Sequence, residues 1–189
     1  TNNFVSDTIS SSHLNEYFGF TQADVDQILK DADCMEHADD IKSWYDGYSF
    51  ENGISIYSPR SVVSCMRFKK IGNYWNQTET YEALKTYIRL NYDGLKDSVI
   101  KMLGGDKVQI NTGTFSNDMA TFQGKDDVLT LLVHLGYLSY HWPDKTVYIP
   151  NKEVSQEYIN AISTMEWPEV IDSVENSRKL LEALWRMDS

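Results

Sequence analysis

The chain has 189 residues, 41% of them hydrophobic and 13% aromatic, and a formal net charge of −11. This composition excludes wholesale disorder, and the excess of acid disfavours contact with phosphate backbones and anionic membranes. There is no run of about 18 apolar residues and no basic-then-apolar leader, so we expect neither a transmembrane helix nor a membrane partner. The two cysteines, Cys34 and Cys65, are expected to be free thiols in the cytoplasm.

Two helices are predicted near the start of the chain, after a Ser- and Asn-rich extended segment with a helical turn at 14–18. Thr21 followed by Asp24 is the pattern of a capping box, so the first helix begins there. The second helix covers residues 38–45, and Gly47 stands where a left-handed C-cap glycine is common. The apolar residues predicted to face the core in these helices are Val25, Ile28, Leu29, Ile41, Trp44 and Tyr45.

The stretch WYDGY at 44–48 combines three aromatic rings with a carboxylate, so it is either a ligand-binding constellation or a helix end packed into a core. A carboxylate at a helix C-terminus is disfavoured by the helix dipole. Asp46 therefore needs a specific partner, such as a backbone N–H or the basic side chain of Arg60, and we expect its role to be structural. The predicted structural or contact cluster consists of Trp44, Tyr45, Asp46, Gly47, Tyr48, Tyr57, Arg60 and Trp75.

A third helix is predicted to begin after Ser58, because an N-cap serine followed by Pro59 is a strong start signal. Its inward face is predicted to carry Val62, Val63 and Met66. Gly72 is predicted to end this helix, and a division of the chain is predicted at 71–79.

From residue 93 onwards the predicted order is helix, strand, short helix, helix, strand, turn, strand and helix, which is the order of a winged helix-turn-helix. The strands are predicted at 107–111, 137–142 and 146–150, and the last two form a hairpin around the turn PDK. Asn151 is predicted to cap the helix that follows. The fold class is therefore mostly α with a small three-stranded sheet.

Motifs for phosphate, metal or nucleophilic chemistry are missing from the sequence. The nearest candidate for a phosphate loop, the Gly-Lys pair at 124–125, would need a glycine where Met119 stands and a hydroxyl where Asp126 stands. Cys34 and His37 have a C-x-x-H spacing, but no second pair follows at zinc-finger distance. There is no G-x-S-x-G nucleophile elbow. We therefore predict no catalytic residue, no metal site and no cofactor in this chain.

Nucleic acid is disfavoured as a partner. The helix that a winged-helix protein would place in the major groove reads DDVLTLLVHL at 126–135 and offers no Arg or Lys. Residues 93–151 hold five Lys and no Arg beside seven Asp, whereas phosphate contact requires a positive face. Contact with another protein or within the domain is the better prediction for this module.

Six short sequence strings together resemble those of a known protein family. They are YFGFT at 17–21, WYDGY at 44–48, IYSPRSV at 56–62, NYW at 73–75 with Thr78, GYLS at 136–139 and IPNKEV at 149–154. Together they resemble the C-terminal part of a predicted AAA-ATPase-like family of bacteria, over roughly residues 2–160. The resemblance implies a P-loop core, with ATP and Mg²⁺, upstream of this chain. Relatives often carry a PD-(D/E)XK nuclease-like domain downstream, a motif that this chain lacks.

The chain departs from the family at one string. Where the family usually has Asn-Pro-Trp, residues 58–60 read Ser-Pro-Arg. Serine is as good an N-cap as asparagine, so the helix is expected to persist. A lid arginine contacts nucleotide phosphates in related ATPases, so Arg60 is either such a contact or an exposed arginine on a helix surface.

The resemblance implies a helical, lid-like region at 1–75, a winged-helix-like module at 76–165 and a C-terminal helix or linker at 166–189. We expect a non-catalytic portion of an AAA-ATPase-like protein that senses nucleotide state or contacts protein. Its partner is then the missing upstream core or another protein. One alternative is a stand-alone winged-helix interaction module or DNA-associated adaptor. Another is a small enzyme with an unrecognised site among the aromatic and acidic residues.

Overall fold

The computed structural model describes residues 19–75, 81–89, 92, 94–115 and 122–163. Some predicted features lie outside these residues, wholly or for the most part: the extended segment with its turn at 14–18, the short helix of the winged-helix order at 116–122, and the C-terminal helix or linker at 166–189.

Three helices and a short hairpin form the first half of the described chain. Their bounds are α1 Gln22–Asp31, α2 Ala38–Tyr45, β1 Tyr48–Ser49, β2 Ser55–Ile56 and α3 Pro59–Phe68. The predicted capping box is confirmed, because Thr21 Oγ1 accepts from Asp24 N at 3.3 Å and Thr21 N donates to Asp24 Oδ2 at 2.8 Å. Hydrogen bonds from the Thr21 hydroxyl and N–H lower the pKa of the Asp24 carboxyl below its ordinary value.

The N-terminus of α3 differs in detail from its prediction. The helix begins at Pro59 as expected, but the Ser58 hydroxyl makes no bond to a helix N–H. Its Oγ lies instead 3.1 Å from Ser61 Oγ. Proline at the first position has no N–H to satisfy and fixes the helical φ angle, so the start holds without a side-chain cap.

The inward face of α3 is also rotated from the predicted one. The helix buries Ser61, Val62 and Cys65, whereas Val63 is 53% exposed. Ser61 donates a hydrogen bond to a buried glutamate of a distant helix, Glu153. This contact draws a polar residue inward and turns the apolar Val63 to the surface.

Four helices and three strands form the second half of the described chain. Their bounds are α4 Tyr81–Arg89, α5 Leu95–Leu103, β3 Val108–Gln109, α6 Lys125–His134, β4 Ser139–His141, β5 Thr146–Tyr148 and α7 Lys152–Ser163. The strands form an antiparallel sheet in the order β3-β5-β4, and β4 and β5 form the predicted hairpin. The prediction of a mostly α fold with a small sheet is confirmed. Asn151 caps α7 as predicted, since its Oδ1 accepts from Val154 N at 3.0 Å.

The apolar interior consists of two clusters. The buried members of the first core lie between Val25 and Tyr74, on α1 to α3 and the loop after α3. Those of the second core lie between Leu84 and Ile162, on α4 to α7 and the sheet. α2 packs on α7 and β1 packs on β4, so the two cores are joined along the WYDGY stretch. The domain division at 75–76 stays a prediction, because 76–80 lie outside the described residues.

Candidate functional site

The eight residues predicted to form one cluster are divided between the two cores. The first core takes Trp44, Tyr45 and Tyr57, the second takes Tyr48 and Trp75, and Asp46, Gly47 and Arg60 belong to neither, with Arg60 exposed. The cluster is therefore not a pocket around WYDGY. These residues lie where side chains of the first half of the described chain contact the second half. We call this contact region, centred on residues 44–48, the joint.

Asp46 holds the end of α2 to the β1–β2 hairpin. Its Oδ1 accepts from the Ser55 hydroxyl at 2.7 Å. The expected partners, a backbone N–H or Arg60, are not the ones found, and no ion pair joins Arg60 to Asp46 within the described residues. Burial raises the pKa of the nearby Tyr57 phenol to about 12, and the Asp46 charge adds to this effect.

Tyr45 fastens the loop after α3 to the end of α2. Its hydroxyl donates to the Gly72 carbonyl at 2.9 Å and accepts from the Gly72 N–H at 3.0 Å. Burial raises the pKa of this phenol, so it stays a neutral donor and acceptor at physiological pH. Gly72, which was predicted only to end a helix, therefore has both its N–H and its carbonyl group hydrogen-bonded to Tyr45.

Tyr48 and Trp75 are the aromatic side chains that cross the joint. Their rings stack with centroids 6.4 Å apart and planes inclined by 19°. Tyr48 OH donates to Gly136 O at 3.0 Å, and Trp75 packs edge-on against Tyr137 at 6.0 Å. Burial raises the pKa of Tyr48, which keeps its hydroxyl available as a donor.

The backbone of Gly47 passes very close to the segment between β5 and α7. Gly47 has a φ of +114°, and a Cβ at this position would lie 2.0 Å from the carbonyl oxygen of Pro150. The neighbouring strands are bonded as well: Tyr148 OH donates to Gly47 O at 3.0 Å, and Ser49 N donates to Ser139 Oγ at 2.9 Å. Glycine is needed here both for the positive φ and for the close approach.

Glu153 is a fully buried carboxylate that the sequence reasoning did not single out. Its Oε1 accepts from Tyr74 N at 2.7 Å and from Trp75 N at 3.1 Å, and its Oε2 accepts from Ser61 Oγ at 2.7 Å. Burial raises the pKa of this carboxyl, and the three hydrogen bonds and the charge of Arg60 only partly oppose that rise. The carboxylate connects α7 to α3 and to the loop after it, and its side chain is fully buried.

Glu157 lies one helical turn after Glu153 and is also fully buried. Asn73 Nδ2 donates to its Oε1, while its Oε2 has no hydrogen-bond partner among the described residues. Burial raises the pKa of the Glu157 carboxyl, and the charge of Glu153 raises this pKa further. The hydrogen bond from Asn73 and the charge of Lys85 lower it. Two carboxylates therefore share the interior of the joint.

A signal for this pair was present in the sequence. Glu153 and Glu157 are four residues apart, so they share one face of α7, and this face borders its apolar positions. When the apolar positions pack into the core, both carboxylates come close to it. Glutamate at such a border usually extends to solvent, which is why the pattern alone does not predict burial.

We expect Glu157→Gln to be more stable than the wild type at pH 8, by about 1 kcal/mol, the size of one buried polar contact. The folded-state pKa of Glu157 lies above its ordinary value of 4.5, so protonation favours the folded chain. The wild type therefore gains stability as the pH falls from the folded pKa towards 4.5, and Gln does not.

The measurement is urea unfolding of both chains from pH 8 to pH 5, with Gln156→Glu as a control at an exposed position of the same helix. The difference between wild type and Glu157→Gln should shrink at low pH. A constant difference across this range would show that the Glu157 carboxyl is ionised throughout.

A groove of about 600 Å³ lies beside the joint. It is lined by parts of β1, β2, β4, the start of α3 and the end of α6. Its larger apolar and aromatic side chains include Tyr48, Phe50, Ile56, Tyr57, Trp75, Leu138 and Tyr140. Among the described residues of the lining, His134 is the one ionisable side chain other than tyrosine, and it is exposed and stacked on Phe115 at 5.3 Å. Such a lining suits an apolar segment better than a phosphate.

Comparison with known proteins adds no family: no family model, no curated protein and no solved structure matches the chain. Among the described residues there is no group of three or more His, Cys, Asp or Glu side chains that could hold a metal ion. Within the same part of the chain, no helix combines the length and the hydropathy needed to cross a membrane.

Proposed function

We propose that this chain is a non-catalytic part of a cytoplasmic AAA-ATPase-like protein. In this proposal the lid-like and winged-helix-like regions are held as one unit by the joint, and the unit contacts the ATPase core or another protein through the groove. The observation that carries the proposal is that the six strings of the resemblance touch one another in the fold.

Their contacts form a continuous chain across the joint. YFGFT pairs with IYSPRSV by backbone bonds between Phe20 and Tyr57 at 2.8 and 3.3 Å. IYSPRSV and NYW both bond Glu153 of IPNKEV. WYDGY reaches IPNKEV, GYLS and NYW through Gly47 and Tyr48. Strings that are far apart in sequence and form a single contact network specify a shared local structure, which supports the resemblance.

The chemistry of the joint favours coupling over catalysis. Glu153 is sealed from solvent with both oxygens bonded, so it is suited to transmit a displacement between α3 and α7 and not to transfer a proton to a substrate. DNA reading is disfavoured because α6 buries every residue from 127 to 132 and offers few side chains to a groove.

The reading frame that encodes the chain is expected to carry G-x-x-x-x-G-K-[ST] upstream of Thr1, within a core that binds the present chain. Replacing Phe50 with Asp places a charge in the apolar groove and is expected to weaken that binding at least about tenfold. Isothermal titration of the core into each variant measures the effect, and Lys101→Glu, on an exposed face away from the groove, is the control.

Two results would contradict the proposal. One is a frame without a P-loop motif. The other is a tight, Mg²⁺-dependent ATP complex of this chain alone in the same calorimeter, since we expect no ATP binding at micromolar levels and no hydrolysis.

A further inference from the structure

A second surface feature lies on the outside of the first core and is separate from the groove. A pocket of about 430 Å³ opens between the end of α1, the start of α2 and the end of α3. Its floor is formed by the apolar and sulfur-containing side chains Cys34, Ile41, Cys65, Met66 and Ile71. Cys65 adjoins Tyr45 of WYDGY, but none of the residues that line this pocket lines the groove.

The rim of this pocket carries opposite charges that do not neutralise each other. Asp33 and Asp40 come from the α1–α2 side, and Lys69 and Lys70 come from the end of α3. All four side chains are exposed, and none forms an ion pair within the described part of the chain. We name these two sets the acidic rim and the basic rim.

One exposed apolar side chain is close in sequence to each of the two rims. Met35, 43% exposed, lies two residues after Asp33 of the acidic rim, and Phe68, 59% exposed, directly precedes Lys69 of the basic rim. Three large hydrophobic side chains are exposed in the described residues, and these are two of them. Single exposed apolar residues need no explanation, but pairs placed beside complementary charges are typical of contact surfaces.

The basic rim is unusual for this chain as a whole. Residues 52–75 contain no Asp or Glu and four basic residues, in a chain with a net charge of −11. An acidic protein is repelled by copies of itself unless a locally basic surface meets a locally acidic one. The chain thus offers both halves of such a contact around one pocket.

We propose that a second copy of this chain binds at this pocket, in a two-fold symmetric dimer. In a two-fold interface the same patch meets itself, so the acidic rim of each copy lies on the basic rim of the other, and both contacts form twice. Met35 of one copy then meets Phe68 of its partner copy. This inference does not depend on the ATPase proposal.

Sedimentation velocity over a concentration series, at about 150 mM salt where the Debye length is about 8 Å, tests the dimer. We expect a concentration-dependent dimer in the wild type. Lys69→Glu with Lys70→Glu should raise the dimer dissociation constant at least about tenfold, and so should Asp33→Lys with Asp40→Lys. Lys101→Glu with Lys152→Glu has the same net charge as the first variant, lies at exposed positions elsewhere, and should leave the constant close to the wild-type value.

A mixture of the two rim variants separates a specific contact from a loss of folding. One variant has two acidic rims and the other two basic rims, so together they should form a 1:1 complex although each alone is monomeric. The milder pair Lys69→Gln with Lys70→Gln gives an intermediate loss if the contact is electrostatic.

Three outcomes would overturn the proposal. They are a wild type that stays monomeric up to its solubility limit, a dimer that the rim variants and the control weaken equally, and assemblies that grow beyond the dimer, as a head-to-tail contact would produce.

Discussion

Replacing Glu153 with Ala is expected to lower the free energy of unfolding by about 3–5 kcal/mol. The carboxylate accepts hydrogen bonds from two backbone N–H groups and one serine hydroxyl; the bonds from Tyr74 N and Ser61 are buried and that from Trp75 N is partly buried. Alanine would leave Tyr74 N without its acceptor and open a cavity between α7 and the loop after α3. Trp75 N would keep only its bond to Asn73 Oδ1, and the Ser61 hydroxyl only its contact with Ser58 Oγ. Each unsatisfied buried donor costs about 1–3 kcal/mol, so this loss is among the largest expected for a single residue here.

Urea unfolding at pH 7 measures this loss, and Glu153→Gln is the matched variant. Glutamine keeps an oxygen for Tyr74 N and Trp75 N, so it should lose less than half as much stability as alanine. It also provides a measurable value if the alanine variant does not fold. Equal stability of both variants, close to that of the wild type, would rule out the role of Glu153 as a tie between helices.

Gly47→Ala is expected to cost about 3 kcal/mol or more. The φ of +114° is strained for any residue with a Cβ, and the added methyl group would lie 2.0 Å from the Pro150 carbonyl oxygen. Backbone atoms cannot rotate away as a side chain can, so the segment between β5 and α7 would have to move. That movement would stretch the bond from Tyr148 OH to Gly47 O as well.

Gly53→Ala is the control for Gly47→Ala. Gly53 has a φ of +78° in the β1–β2 turn, but nothing lies within 4 Å of an added Cβ there. The control therefore carries the conformational strain without the clash and should cost only about 1 kcal/mol. Thermal unfolding of both variants measures the difference, and a Gly47→Ala loss no larger than that of Gly53→Ala would show that Pro150 yields without cost.

The start and end signals in the sequence predicted the helices of the first half well. The pair Thr21 and Asp24 forms both bonds of a capping box, and α2 ends at Tyr45 as the position of Gly47 indicated. These signals work because a helix end is decided by groups three or four residues apart. The mostly α class with a small sheet followed from the same local patterns, together with the alternation of the last two strands.

The sequence predicted only some of the contacts of the candidate site. WYDGY lies where the two cores meet, and the rings of Tyr48 and Trp75 stack, but the partner of Asp46 is Ser55 and not Arg60. Helical periodicity also placed Val63 inward, whereas the side chain that is buried is Ser61. A hydrophobicity pattern cannot anticipate that a serine is drawn into a core by a carboxylate 92 residues away.

The sequence by itself determined the helices, the hairpin, the absence of recognisable catalytic motifs and the glycine that the chain needs after α2. Only the tertiary structure decided which polar groups are buried together: Glu153 and Glu157 with Ser61, Asn73 and the N–H groups of the loop after α3. The physical reason is the sequence separation over which the deciding interactions act. Caps and periodicity depend on neighbours within one or two turns, whereas the satisfaction of a buried carboxylate depends on donors that come together only when α3 and α7 pack.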